Sequence, residues 1–229
     1  NIPVLVDLKP SGSHYMEQLY EDGGLMGVLR ELKPHLYLDC LTVSGRMLGE
    51  EIDAAKVTKA RKVIRIASDP IYPVGGLAVL KGNLAPRGAV IKHSAASPNL
   101  LKHRGRAVVF KSLEDLALRV DSPDLDVTAD DILVLQNAGP KGAPGMPEAG
   151  YLPIPKKLAQ AGVKDMVRIS DARMSGTAFG TIVLHVAPES AENGPLAIVQ
   201  DGDMITLDVE KRLLQLELDD TEIQRRIAA

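Results

Sequence analysis

The chain has 229 residues, 45% of them apolar, with 27 Lys and Arg against 30 Asp and Glu for a formal charge of −3. This is enough material for one large domain or two modest ones with a packed core. The charge balance excludes the basic footprint of a nucleic-acid binder, and no apolar run approaches the roughly 20 residues of a membrane-spanning helix.

The opening NIPVLVDLKP lacks the basic start and apolar middle of a signal peptide, so a cytoplasmic location is expected. VLVD, 4–7, is a short apolar run that predicts a buried parallel strand, and PSGS follows as a turn with Ser13 as the helix cap. Helices are predicted in HYMEQLY, 14–20, and LMGVLRELK, 25–33, separated by Gly23 and Gly24, and again in RMLGEEIDAAK, 46–56, where apolar residues recur at helical spacing. Cys40 is the single cysteine; it can form no internal disulfide, cannot alone hold zinc or a cluster, and reads as a buried free thiol. Residues 1–67 thus look like the end of an α/β layer.

Two prolines and two glycines in SDPIYPVGG, 68–76, mark a hinge. Beyond it, 77–229 is rich in short strand-like runs: LAVLKG, GAVIKH, GRAVVF, DILVLQ, DMVRIS, TIVLHV, LAIVQ, DMITLDV and LLQLEL. Val, Ile and Leu dominate them, and Gly, Pro or Asp bounds most. The last three read as a meander. Helices are predicted only in SLEDLALRV, capped by Ser112, in PKKLAQAG and at the end of the chain. The expected fold class is α/β: an α/β domain end, then a barrel-like domain with flanking helices.

Two loops stand out. In KGAPGMPEAG, 141–150, glycines free the backbone and prolines restrict it, giving a bent, stiff loop able to hold the Glu148 carboxylate at a fixed point, as a hard divalent cation requires. A plain crossover with a solvated glutamate fits the same composition. SDARMSGTAFG, 170–180, follows the strand DMVRIS, so Ser170, Asp171, Ser175 and Thr177 crowd at a strand end, where α/β proteins place chemistry. Serine needs a metal or adjacent base to lose its proton, and no nucleophile elbow surrounds Ser175, which argues against a hydrolase triad. The alternative is a turn closed by local side-chain to backbone hydrogen bonds. The five histidines show no metal-binding spacing. GNLAPRGAVIKHSAASP, 82–98, is a turn-rich insertion that could line a site through Asn83 or Lys92, or be plain loop.

Taken together, VLVDLKPSG, GNLAPRGAVIKHSAASP, HRGRAVVF, GPKGAPGMPE and RISDARMSGTAFGTIVLHVAPE, in this order, resemble the dihydroxy-acid and sugar-acid dehydratase (IlvD/Edd) family over nearly the whole chain. Since family members are far longer, the chain is expected to be their later part, cut at both ends. The resemblance implies a fold, an α/β cluster-binding domain followed by a barrel-like swivelling domain. It also implies a reaction: loss of water from a 2,3-dihydroxy carboxylate to give a 2-keto-3-deoxy acid, with an iron–sulfur cluster of the 2Fe-2S type and Mg2+. By the same resemblance Glu148 binds magnesium, Ser175 takes the C2 proton as an alkoxide, and Thr177 contacts substrate. The cluster cysteines and the remaining magnesium ligands belong to the part that this chain lacks, so the chain alone should be inactive and bind neither metal group tightly.

Ala172 resembles the sugar-acid branch, which includes arabinonate and xylonate dehydratases; the branched-chain amino-acid branch more often has glycine there. Expected partners are a sugar acid, the missing N-terminal part of the same enzyme and further copies in a dimer or tetramer, with no nucleic acid and no membrane. The alternatives are a dihydroxy-acid dehydratase of branched-chain amino-acid synthesis and a non-catalytic binding module derived from the family.

Overall fold

The computed structural model describes residues 2–56, 62–143, 152–173 and 179–228. Contacts divide the chain into two compact units, 1–76 and 77–229.

The first unit contains three short helices, α1 (Met16–Glu21), α2 (Gly24–Glu31) and α3 (Leu48–Ala54), and its buried hydrophobic side chains include Leu5, Ile52, Val63 and Ile64. Asp22 is the polar fastener: its carboxylate is buried and accepts the backbone N–H groups of Val63 and Ile64, each at 2.8 Å. The run VLVD does not form the expected parallel strand. Val4 and Val6 instead make isolated antiparallel bridges to Tyr72 and Ile64, because the chain that returns beside them runs in the opposite direction. Ile71 N–H also donates to Val4 O at 2.8 Å, so part of the Pro- and Gly-rich stretch is hydrogen-bonded to the start of the chain. Ser13 does not cap a helix. Its N–H donates to Asp7 Oδ1, and the position before α1 is Tyr15, whose N–H is taken by the Gln18 side chain at 2.9 Å. Cys40 is exposed rather than buried.

The second unit is a closed eight-stranded barrel. Its strands are β1 (Ala78–Gly82), β2 (Ala85–Ile91), β3 (Lys102–Phe110), β4 (Ile132–Leu135), β5 (Arg168–Ser170), β6 (Ile182–Ala187), β7 (Met204–Asp208) and β8 (Leu213–Leu216). They are ordered β1-β2-β6-β5-β4-β3-β7-β8 around the barrel. Eight of the nine predicted strand runs are strands. The ninth, LAIVQ, falls largely in a 3-10 turn over Pro195–Ile198, so the expected three-strand meander is the hairpin β7–β8. Helices α4 (Leu113–Arg119), α5 (Lys156–Gln160) and α6 (Asp220–Ile227) complete the unit, and Asp115 N–H donates to Ser112 Oγ at 3.2 Å, as expected of a cap.

Side-chain alternation explains the two kinds of strand. Strands β3 to β6 are mutually parallel, and β3–β5 bury both faces. Val109, Ile132, Val134 and Ile169 join the barrel interior, while Val108, Phe110, Leu133 and Leu135 pack in a second cluster with Leu116, Val120 and Leu152. Two-sided burial is why AVVF in β3 and ILVL in β4 are unbroken apolar runs, whereas the short β5, RIS, sets Arg168 and Ser170 beside Ile169. By contrast β1 and β8 alternate, with Leu80, Leu214 and Leu216 buried and Val79 exposed.

The barrel closes where β1 meets β8 in parallel, at Lys81 beside Leu213. Gly82, at φ 155°, is required there because a Cβ would stand 1.9 Å from Leu214 O. Beyond it Asn83 acts as a one-residue strand: its Nδ2 donates to Leu216 O and its Oδ1 accepts Leu216 N–H, both at 2.7 Å. This seam is the role the structure gives Asn83. Asn83→Ala removes both bonds and should destabilise the barrel by about 1–3 kcal/mol, measured by urea unfolding. An unchanged midpoint would show that the seam closes without it.

Candidate functional site

Four parallel strands end on the same edge of the barrel, at Phe110, Leu135, Ser170 and Ala187. Leu135 is paired with both Phe110 and Ser170, so the ends of β3, β4 and β5 are level. The loops that leave β4 and β5 are the two singled out in the sequence. Glu148, Ser175 and Thr177 themselves lie in 144–151 and 174–178, outside the described residues. What is described is how each loop leaves the sheet and how it returns.

The exit from β4 is fixed by two buried carboxylates from neighbouring elements. Asp171, one residue past β5, accepts Ala138 N–H on Oδ1 at 3.0 Å and Ser190 N–H on Oδ2 at 2.8 Å. Glu189, just past β6, accepts Lys141 N–H at 2.9 Å and Gly142 N–H at 3.3 Å on a single oxygen. Glycine is needed at 139 because a Cβ there would lie 2.5 Å from Glu189 Oε2. Backbone N–H groups buried without acceptors cost about 1–3 kcal/mol each, so these two acids stabilise a loop root that has no ladder of its own. Ser170 Oγ meanwhile accepts Ala172 N–H at 3.1 Å. For Ser170 the local hydrogen-bonding alternative is therefore the observed one, whereas Asp171 bonds the backbone of two distant segments, at Ala138 and Ser190.

Both loops return to one side chain. Arg168, the first residue of β5, is buried, 7% exposed. Its Nη1 donates to Leu152 O at 3.1 Å, and its Nη2 donates to Phe179 O and to Asp165 Oδ1, each at 3.2 Å. Leu152 is the first described residue after the Glu148 segment, and Phe179 the first after the Ser175 segment. Asp165 is held in turn by Thr181, through N–H at 2.9 Å and Oγ1 at 2.7 Å, and by Ser97 N–H at 3.1 Å. Burial alone would push the Asp165 carboxyl up; the bonds from Thr181 and Ser97 outweigh it and hold the group below the ordinary carboxylate range. Burial draws Arg168 below its ordinary value, and Asp165 offsets part of that. Gly180, at φ 113°, leaves room for the guanidinium, since a Cβ would come within 2.1 Å of Nη2. Gly180 N–H also donates to Ala95 O at 2.9 Å. The insertion 82–98 thus reaches the return of the serine loop through Ala95 and Ser97.

Ala172, the residue weighed for substrate branch, is fully buried in the outer cluster, and its carbonyl accepts His185 N–H at 3.1 Å, where β6 turns through φ 53°. A methyl at this position is packing material at the root of the serine loop.

Sequence reasoning passed over Arg168, Asp165 and Glu189. The signal was present for the first, a permanent cation inside a run otherwise suited to two-sided burial, which stands only when paired. Among the described residues no group of three His, Cys, Asp or Glu side chains converges to hold a metal ion. Asp171 and Glu189, which hold the root of the Gly/Pro loop, already accept backbone donors, so they serve as scaffold. Among the described residues no helix is long and apolar enough to cross a membrane.

Comparison with known proteins adds to this geometry. Residues 62–229 match the model "Dihydroxy-acid/6-phosphogluconate dehydratase C-terminal", and residues 1–51 match its N-terminal counterpart. An L-arabonate dehydratase of Azospirillum brasilense is 52% identical over 99% of this chain and 39% of its own length. An L-arabinonate dehydratase of Rhizobium leguminosarum is 49% identical over 100% and 40%. A dihydroxy-acid dehydratase of Dehalococcoides mccartyi is 46% identical over 99% and 40%. The chain thus spans about two fifths of the length of these relatives.

Asp171→Asn exchanges one acceptor for a donor against a buried N–H. It should cost about 1–3 kcal/mol and lower the melting temperature by several degrees, read by calorimetry on the barrel-containing chain. An unchanged melting temperature would mean that the root of the Gly/Pro loop is held by other groups.

Proposed function

Because the chain belongs to the dihydroxy-acid/6-phosphogluconate dehydratase family, we propose that it is the later part of a hydro-lyase that converts a 2,3-dihydroxy sugar acid into a 2-keto-3-deoxy acid. The observation that carries this reading is the level ending of β4 and β5, which sends the segments bearing Glu148 and Ser175 from one edge of the barrel and returns both to Arg168. Those are the two positions that the family resemblance assigns to a metal ligand and a base. A structural module would need neither.

In the proposed reaction Ser175 Oγ takes the proton from C2 and the hydroxyl leaves C3. The resulting enol tautomerises to the 2-keto acid. Glu148 supplies one oxygen to a divalent cation, and Thr177 hydrogen-bonds the substrate. Magnesium, when bound, would acidify the C2 proton and ease loss of the serine proton, and the cluster would accept the departing hydroxyl as a Lewis acid. One carboxylate gives a hard cation too few ligands, and Cys40 is exposed and alone, so both groups depend on the rest of the enzyme. That enzyme is proposed to be a cytoplasmic homo-oligomer.

Ala172 and the higher identity to the two arabonate-type enzymes than to the dihydroxy-acid enzyme support a sugar acid as substrate. Dihydroxy-acid dehydration is the second reading, and a comparison of L-arabonate with 2,3-dihydroxyisovalerate as substrates of the full-length enzyme separates the two.

Ser175→Ala in the full-length enzyme should reduce dehydration by about three orders of magnitude or more, with substrate binding and melting temperature retained, since removing a base takes away what is needed chiefly in the transition state. A serine that only completes a turn would instead cost about 1 kcal/mol of stability and leave turnover intact. Near-normal rates in the variant would end the case for Ser175 as base.

A further inference from the structure

We infer that Arg168 is a positioning residue for the proposed dehydration: its guanidinium sets the spacing between the return points of the Glu148 and Ser175 segments. The inference rests on the function proposed above and concerns a residue to which that reading gives no role. Its basis is the identity of the two acceptors. Of all the carbonyls a buried arginine could serve, Arg168 Nη1 takes that of Leu152 and Nη2 that of Phe179. Glu148 and Ser175 each stand four residues upstream of these anchors, and four residues of chain reach no farther than about 14 Å.

Three features make the arrangement a gauge rather than general adhesive. The guanidinium is planar, so the directions of its two donors are fixed relative to each other, which a lysine ammonium cannot reproduce. The plane is itself immobilised, because Asp165 grips Nη2 while accepting from Thr181 and Ser97. Finally, the space it occupies is kept by Gly180, where a side chain would collide with Nη2. Two carbonyls from separate loops are thereby held to one rigid fork in β5. A displacement of about 1 Å between catalytic groups is enough to cost about a hundredfold in rate.

The test is Arg168→Lys in the full-length enzyme, with kcat, KM, near-UV circular dichroism and melting temperature measured on one preparation. Lysine keeps the charge opposite Asp165 but cannot reach both carbonyls in the same geometry. Expected is a fall in kcat of about tenfold to a hundredfold with KM within about twofold and an unchanged dichroism spectrum. A kcat per folded molecule within about twofold of the parent overturns the inference, whatever happens to the melting temperature, because it would make the arginine a structural tie only. Should Arg168→Lys not fold, Arg168→Gln combined with Asp165→Asn removes both charges together and is judged by the same split. Ser175→Ala assayed alongside keeps the two readings apart. Loss of activity there with full activity in Arg168→Lys sinks the positioning role alone, and full activity in Ser175→Ala sinks the proposed function first.

Discussion

The edge of the barrel that carries the candidate site depends on a buried cation. Arg168 sits in a strand whose neighbours are apolar on both faces, and stripping a guanidinium of solvent costs several kcal/mol before any partner repays it. Repayment comes from Asp165 and from the carbonyls of Leu152 and Phe179, which accept from the guanidinium and would otherwise stand without donors. Each partner explains another part of the local sequence: Thr181 and Ser97 as donors to the acid, Gly180 as the space the fork needs. Removing either charge alone would leave the other buried and unpaired, a loss of about 3–5 kcal/mol, so the pair and its surroundings form a single unit.

Around that unit the site is built from backbone rather than from projecting side chains. Asp171 and Glu189 spend their oxygens on N–H groups of the Gly/Pro loop and of the turn after β6. A loop held by its amide groups can be rigid while its side chains remain available for chemistry. This division would suit the proposed function, in which the chain supplies a base and a single ligand while the remaining ligands come from elsewhere. It also accounts for the density of glycine here, since Gly139 and Gly142 stand where a Cβ would meet Glu189 or the Asn137 backbone.

Much of this was legible in the sequence, for physical reasons that differ by element. Strands β3 and β4 announce themselves because burial on both faces requires apolar runs such as AVVF and ILVL, and the Ser112 cap because few residues accept an N–H so well. VLVD misled because an apolar run gives burial but not direction, and its partners, Ile64 and Tyr72, arrive antiparallel. LAIVQ misled because Gly194 and Pro195 impose a tight turn on residues of high strand propensity; a Cβ at Gly194 would lie 2.0 Å from Pro188 O. Cys40 was read as buried from residue type alone, and short range chemistry says nothing of which packed elements pass nearby. The loops were recognised by composition and resemblance, whereas the clamp beneath them was not, since its members, Ser97, Asp165, Arg168 and Thr181, are scattered and acquire meaning only when strands β5 and β6 are laid side by side.

The seam between β1 and β8 has a bearing on how the protein is made. Asn83 is joined to Leu216 across 133 positions of chain, and β8 is the last strand of the barrel. On a ribosome that delivers residues at roughly 5–20 per second, β1 and β2 emerge many seconds before the strand that closes them. Until then Leu80, Ile91 and the interior faces of β3 to β6 have no lid. Closure of so long a loop is slow by its entropy, which makes the unclosed barrel, with its apolar interior open on one side, the species on which a chaperone would act during synthesis.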